Sequence, residues 1–435
     1  MKCFYSPILL LFVTLQLTGQ KETQLLKIPY QIEEGYGPFN PAFRVDFFMS
    51  PEPTEGPWGK TRPSLKVPEE FVGYDKTEIW FNAGQRVFQH YHKGNIDSAR
   101  IAHLIDSWNL DTTTYSRHPI RCVTYVVRGW NASGDTLFLM DTDIDLDLSD
   151  ETPFTPQELD YELLDSQYKN AVMVNTEEYH HGKPHEVRVP VLFVHNRPYY
   201  QDNIPFYAKS ILKEGNSELE ITFNSSGFLS SDFTSSELIP IFHDSIRNRK
   251  ASRDQIIEIG GYFQTASFNY RFVSVDTDNK LLLLEREPLN SELHVPQKGF
   301  YAPLFTAVDL LTGNQYNLDE LKGKYVYLDF WATYCVPCIK EFPEMVKIHE
   351  KYKGKNFLML GIVLEDKKGG ILKLLSKKGA NWPQFISGNK KGSLMDLYHI
   401  NGYPTTFLLN PEGKIIAKNL RSEGLKKKLE ELQLH

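Results

Sequence analysis

Residues 331–338 read Trp-Ala-Thr-Tyr-Cys-Val-Pro-Cys, and this stretch decides the fold of the region around it. Lys324–Phe330 (KYVYLDF) precedes it and predicts a strand. Val336–Lys353 follows and predicts a helix, with Ile339, Phe342, Val346 and His349 near one face. A Cys-x-x-Cys at a strand-to-helix junction is a redox signature. Cys335 would sit at the helix N-terminus, where unpaired N–H groups and the dipole favour an anion. That lowers the thiol pKa, and the thiolate is the attacking species. Cys338 falls one turn further on, close enough to resolve a mixed disulfide. Pro337 fits the first helical turn, where its missing N–H costs nothing.

Three other readings of the pair are weaker. A structural zinc site wants four ligands, but the sequence has no second cysteine pair, and His349 and His399 stand alone. A permanent structural disulfide across so short a loop constrains little chain entropy. A peroxidatic Pro-x-x-x-Thr-x-x-Cys fails, because Leu328 and Ala332 occupy the Pro and Thr offsets before Cys335.

Working outward, Phe357–Val363 (FLMLGIV) predicts a buried strand and Gly370–Lys378 a helix. Thr405–Leu409 and Lys414–Lys418 predict a strand pair turned at Pro411-Glu412-Gly413. Leu425, Leu429 and Leu432 stripe a last helix, with Ser422 placed to cap it. Lys426-Lys427-Lys428 on that helix reads as a solvated face. This alternation is an α/β domain, residues 303–435. Residues 291–302 read as a linker, within a stretch holding Pro288, Pro296 and Pro303.

Residues 21–290 read as a large β-rich module, with one optional split near residue 200 (Asn196–Asp202). Arg121–Arg128 and Asp135–Asp141 predict strands joined by a hairpin-like Asn131–Gly134 link. Glu186–His195 and Glu218–Phe223 predict further strands, and Tyr270–Val275 with Lys280–Glu285 another hairpin. Ile96–Trp108 is the best helical pattern. Cys122 lies inside a strand pattern and reads as a buried small hydrophobe.

The 435 residues carry 48 basic and 55 acidic side chains, a net charge of −7, which argues against a nucleic-acid partner. Four cysteines exclude a disulfide-stapled scaffold. Residues 1–20 read as a signal peptide: Lys2, an apolar block from Ile8 through Leu17, then Thr18-Gly19-Gln20. Export to a periplasmic or otherwise extracytoplasmic space is expected, with Cys3 removed. A lipid anchor on Cys3 is not expected, since it precedes the apolar block.

At Trp331–Met345 (WATYCVPCIKEFPEM) the chain resembles extracytoplasmic thioredoxin-like proteins of the TlpA/ResA type. The resemblance runs from Gly299 to His435 and covers Trp331 and Tyr334, Phe342-Pro343, Tyr403-Pro404-Thr405-Thr406, Phe407–Lys414 and Asn317–Gly323. It implies a thioredoxin-like α/β domain with Cys335 as nucleophile, Cys338 as resolving cysteine, and Pro404 as a cis-proline facing them. Glu341 matches the family's acid three residues after the second cysteine. If partly buried, it would hold a raised pKa and shuttle protons for Cys338. The resemblance also implies client protein disulfides or thiols as substrates and a membrane or periplasmic reductant as electron source. No cofactor and no metal ligand is implied.

Two functional classes remain. One is an exported thiol–disulfide oxidoreductase that reduces protein disulfides through a dithiol/disulfide cycle. The other is an envelope binding protein whose β-rich module recognises a glycan or protein surface, with the redox domain accessory. Asp141–Asp150 (DTDIDLDLSD) lacks the Gly and Glu of an EF-hand; calcium binding and a strand with one acidic face both fit it. Tyr179–His185 (YHHGKPH) reads as a histidine-rich hairpin turn.

Overall fold

The computed structural model describes residues 23–50, 58–108, 110–225, 233, 236–242, 250–252, 255–289, 292–364, 367–388 and 390–433. The expected signal peptide, residues 1–20 with Cys3, lies outside them. Two β assemblies precede a carboxy-terminal α/β domain.

The first assembly is an eight-stranded sheet. In spatial order its strands are Ile257–Glu258, Ser236–Ile241, Ser217–Ser225, Phe206–Glu214, Gln24–Glu34, Leu281–Pro288, Phe268–Asp276 and Tyr262–Gln264. The two end strands are consecutive in sequence, so the sheet curls back on itself. Its interior shows the curl: one core cluster takes Ile257, Leu238, Phe223, Leu212, Tyr30, Leu284, Phe272 and Phe263, a residue from every strand. Curling of this kind shelters edges that would otherwise invite further pairing.

The second assembly lies between Gln24–Glu34 and Phe206–Glu214 in sequence. Phe71–Trp80, Val123–Asn131 and Thr136–Met140 form a three-stranded sheet. It packs through Ile79, Val126 and Phe138 against Val174, Val189, Val191 and Phe193 of a second sheet, as in a sandwich. Its other face meets Leu65, Ile120 and Leu148. With both faces covered, Val123–Val127 needs no polar alternation, and every one of these residues is buried. The expected strands and hairpins are present here, and Ser98–Trp108 is helical. A second helix, Ala83–His92, was not expected; Asn82 caps it by accepting the Gln85 N–H at 2.8 Å. Residues 196–202 do not separate two sheets: Arg197 and Pro198 turn a hairpin between Lys183–Asn196 and Tyr199–Asn203. Strand pairing changes just beyond, at Phe206, and Gln24–Glu34 crosses the change by pairing with Phe206–Glu214 and Leu281–Pro288.

Residues 292–302 make specific bonds on both sides, contrary to a slack linker. Gln297 Oε1 accepts the Tyr262 N–H at 2.7 Å. Gly299 N–H donates to Ile415 O at 2.8 Å, and Ala302 N–H to Gly413 O at 2.9 Å.

In the carboxy-terminal domain we label β1 (Thr306–Val308), β2 (Gln315–Asn317), β3 (Tyr325–Trp331), α1 (Val336–Tyr352), β4 (Phe357–Leu364), α2 (Lys368–Lys378), β5 (Gln384–Ser387), α3 (Leu394–Leu397), β6 (Thr405–Leu409), β7 (Ile415–Lys418) and α4 (Ser422–Glu431). The central sheet runs β5-β4-β3-β6-β7. β3 pairs in parallel with β4, and β4 with β5, while β6 is antiparallel to both β3 and β7. Tyr327, Trp331, Met359 and Val363 face α1, α2 and α4 on one side. Val326, Leu328, Phe330 and Leu360 face α3 and Phe305 on the other. This is the thioredoxin-like domain expected for the carboxy-terminal third.

Two local expectations need correction. The buried face of α1 is Cys338, Phe342, Met345, Ile348 and Tyr352, while Ile339, Val346 and His349 sit at its margin. Ser422 does not cap α4; it is the first helical residue, Arg421 holds the cap position, and no side chain bonds the free N–H groups.

Candidate active site

β3 delivers the chain to the carboxyl edge of the sheet, and α1 starts at once beyond it. Cys335 takes the N-cap position of α1, and its Sγ accepts the Cys338 N–H at 3.2 Å. Cys335 and Cys338 form a disulfide with their Cα atoms 5.3 Å apart. Both are nearly buried, at 6% and 7% exposure, while Tyr334 and Val336 beside Cys335 are 68% and 59% exposed. The sulfurs therefore sit flush with a rim of exposed Tyr334 and Val336. The opposite side of the rim is Tyr403, whose ring meets Tyr334 edge-on at 6.3 Å. The Tyr403–Pro404 peptide is cis. Two segments distant in sequence, 331–341 and 403–404, are thus gathered at one end of the sheet.

Beneath the pair, Trp331 anchors the loop. Its indole N–H donates to Gln384 Oε1 at 3.1 Å, and its ring meets Phe342 at 5.1 Å. Gln384 fits over Gly361 of β4, where a Cβ would lie 2.1 Å from Gln384 Oε1.

Glu341 lies one turn beyond Cys338 on α1. It does not stand alone as the site's acid: its Oε2 accepts Arg421 Nε at 2.7 Å. The strongly shifted carboxyl is Asp329 on β3, which the sequence reading passed over. Burial pushes its pKa up to about 7; the charge of Glu341 adds to the rise and Arg421 offsets it. Asp329 pairs across the sheet with Gly361 on one side and Thr406 on the other. Thr406 Oγ1 and Tyr327 Oη both donate to Leu420 O, at 3.0 and 2.9 Å, which fixes the residue next to Arg421. Asp329, Glu341 and Arg421 thus form one charge cluster between β3 and α1. The available signal was a lone carboxylate in an otherwise apolar strand, on the same parity as Tyr327 and Trp331.

The other candidates stay apart from this site. Cys122 is buried, accepts a contact from Gln89 Nε2 at 3.7 Å, and has its thiol pushed up to about 12 by burial. It has the character of an inert core residue. His180, His181 and His185 lie at the hairpin turn of Val172–His180 and Lys183–Asn196, as expected, with His180 and His181 both against Asp278. Asp141, Asp143 and Asp145 gather within 4.8 Å, but on a bent loop and not a strand; Ile144 and Leu146 take positive φ. Asp141 accepts the Asp145 and Leu146 N–H groups at 3.2 Å, so its carboxylate holds the loop together.

A family model described as the AhpC/TSA family matches residues 299–418. The thiol–disulfide oxidoreductase ResA of Bacillus subtilis is 34% identical over 119 residues, 27% of this chain and 65% of that protein. ResA of Bacillus thuringiensis strain Al Hakam is 33% identical over 134 residues, 31% of this chain and 75% of that one. The chain thus spans just under two thirds of the first relative, and both matches are confined to its carboxy-terminal third. Among solved structures, the thioredoxin domain of a thiol–disulfide oxidoreductase from Bacteroides vulgatus is 35% identical, covering 31% of this chain and 96% of that one, with a TM-score of 0.29. A DsbE-like thiol:disulfide interchange protein from Chlorobium tepidum is 33% identical, with a TM-score of 0.28 and coverage of 31% and 96%. Through its carboxy-terminal domain, the chain belongs to the thioredoxin-fold thiol–disulfide oxidoreductases of the ResA type.

Proposed function

We propose that this protein is an exported reductant of protein disulfides, acting through Cys335 and Cys338. The observation that carries the reading is the cysteine pair on the first turn of α1, flush with an exposed rim, with Asp329 on the same parity of β3 as the Tyr327 and Trp331 that pack against the pair and its carboxyl pushed up to about 7 by burial. In the reduced protein, Cys335 thiolate attacks a client disulfide. A mixed disulfide forms, and one client sulfur leaves as a thiolate that takes up a proton. Cys338 then gives its proton to Asp329 and attacks the Cys335 sulfur, which releases the second client thiolate. Two electrons pass from the dithiol to the client, and an external dithiol must restore the pair. Pro404 borders the rim where the client backbone would lie. Glu341 and Arg421 set the charge around Asp329 rather than carrying the proton.

The test is the equilibrium reduction potential of the pair, measured against glutathione and dithiothreitol by mass of alkylated species. A value near or below about −220 mV supports a reductant; one near about −120 mV marks an oxidant and reverses the direction. Export is tested by locating the mature amino terminus, which the reading places after residue 20.

One observation favours an added recognition role for the β-rich module. Phe47 and Tyr199 are exposed and meet edge to face, with centroids 6.5 Å apart, and Phe43 meets the exposed Tyr161 in the same geometry. Exposed aromatic pairs of this kind suit glycan or protein surfaces. Glycan-array and pull-down binding to a Phe47→Ala/Tyr199→Ala variant would test that role separately from redox activity.

A further inference from the structure

β5 is an outer strand of the central sheet, and its free edge is only half covered. In the β4–β5 ladder Gly361 N–H takes Pro383 O, so residues 383, 385 and 387 serve β4 while 384 and 386 face outward. Gln384 is met there: its N–H donates to Asp309 Oδ1 at 2.9 Å, and its carbonyl accepts Leu310 N–H at 2.7 Å. Ile386, the next outward residue, meets no backbone partner among the described residues. The chain of β1 leaves the edge at that point, and an open groove of about 620 Å³ separates β1 from β5. Its walls mix polar residues such as Thr306 and Ser393 with exposed apolar ones: Val308 is 59% exposed and Ile386 37%.

Among the described residues lysines outnumber exposed carboxylates at the groove, where Asp396, which accepts Gly392 N–H at 2.8 Å, is the acid of the closing turn. Lys368 lines it, and Lys390 and Lys391 belong to the turn next to its lining residues Gly392 and Ser393, where Ser393 N–H donates to Lys390 O at 3.0 Å. All three are exposed, and none makes an ion pair among the described residues. The one lining carboxylate, Asp309, is buried and already accepts Leu311 N–H, Thr312 N–H and Oγ1–H, and Gln384 N–H. The parallel register sets Ser387 beside Leu364 and Trp331 beside Val363, so the groove opens at the same end of the sheet as Cys335. Two strand spacings, about 10 Å, separate β5 from β3.

We propose that this groove docks an extended acidic segment of the client protein by adding a strand to β5. The client backbone would pair with Ile386, its apolar side chains would lie on Val308 and Ile386, and its carboxylates would face Lys368, Lys390 and Lys391. The identity of the occupant as a client rests on the redox reading above; the binding itself does not.

The test uses the full chain and two capped peptides, Asp-Val-Glu-Val-Asp-Val and Lys-Val-Lys-Val-Lys-Val, titrated by calorimetry. The acidic peptide is expected to bind and to weaken as salt screens the lysines. The Lys368→Glu/Lys390→Glu/Lys391→Glu variant should lose at least tenfold in affinity for it, and Val308→Asp should lose a similar factor through the apolar part of the wall. Equal binding of both peptides, unchanged affinity in the triple variant, or no binding of the acidic peptide overturns the proposal. Self-association abolished by the triple variant, without peptide binding, assigns the groove to a second copy and also overturns it. Peptide binding by a Cys335→Ser/Cys338→Ser variant, beside insulin reduction by the triple variant, separates failure of the groove from failure of the redox reading.

Discussion

Asp329→Asn is expected to make the carboxy-terminal domain more stable at pH 8 and no more stable at pH 4. The side chain is partly enclosed, and its carboxyl titrates near 7 rather than 3.8. A carboxyl raised by folding binds its proton more tightly in the native state. The stability this gives is complete below pH 3.8, and it is lost as pH rises through 7. Each pH interval between the two values costs ~1.4 kcal/mol, so the ceiling is ~4 kcal/mol; residual solvent access lowers it to roughly 2–4 kcal/mol. Asparagine carries no charge to bury and escapes that loss. Urea unfolding of the full chain, read by pulse proteolysis of the 357–364 segment, would resolve the difference at both pH values. An advantage of the variant that persists unchanged at pH 4, or none at pH 8, would refute the assignment of a desolvated carboxyl to β3. The proposed proton transfer from Cys338 to Asp329 predicts that the same variant resolves mixed disulfides more slowly at neutral pH. Gain of stability with loss of turnover is the pattern a strained functional carboxyl predicts.

Three further outcomes follow from the geometry. Cys338→Ser should trap a covalent mixed disulfide through Cys335, visible by mass with a disulfide-bearing peptide, whereas Cys335→Ser should trap none. Gly361→Ala should destabilise the domain by about 1–3 kcal/mol, because the added methyl meets the Gln384 amide that holds Trp331; thermal unfolding reads it, and an unchanged midpoint would mean the amide swings clear. In the reduced native protein at pH 8, iodoacetamide should alkylate Cys335 long before Cys122, whose thiol is buried and titrates at about 12; urea should abolish the difference.

The carboxy-terminal fold was legible because its signals are local. KYVYLDF is one strand, the cysteine pair opens one helix, and Leu425 and Leu429 mark one buried stripe. What escaped the sequence was set by partners far along the chain. Asp329 looked like an ordinary strand position until Glu341 and Arg421 were placed around it, and the ion pair between those two spans 80 residues. Glu341 was legible as an acid near Cys338 but not as one already paired. Ser422 suited a cap by residue type, yet the helix begins one residue earlier than that role requires. Asp141–Asp147 alternated like a strand, but positive φ at Ile144 and Leu146 breaks the pleat, and no residue type there announces it.

The β-rich region shows the same limit on a larger scale. Its strands were individually readable, but the pairing of Gln24–Glu34 with strands 172 and more residues away was not. That pairing places the sandwich as an excursion from the curled sheet. The chain then returns through residues 292–302, which bond Tyr262 of the curled sheet and Gly413 and Ile415 around β7. Lys418 on β7 adds a bond from its Nζ to Pro296 O at 3.0 Å, and burial lowers its pKa. The three prolines mark a linker, and the Gln297 side chain at one end and backbone bonds at the other make it a strap. A strap of this kind holds the redox domain at a defined place on the curled sheet. Ile415 pairs with Leu409, and Leu409 with Val326, so the strap grips the end of the sheet opposite Cys335 and leaves the cysteine rim clear of it.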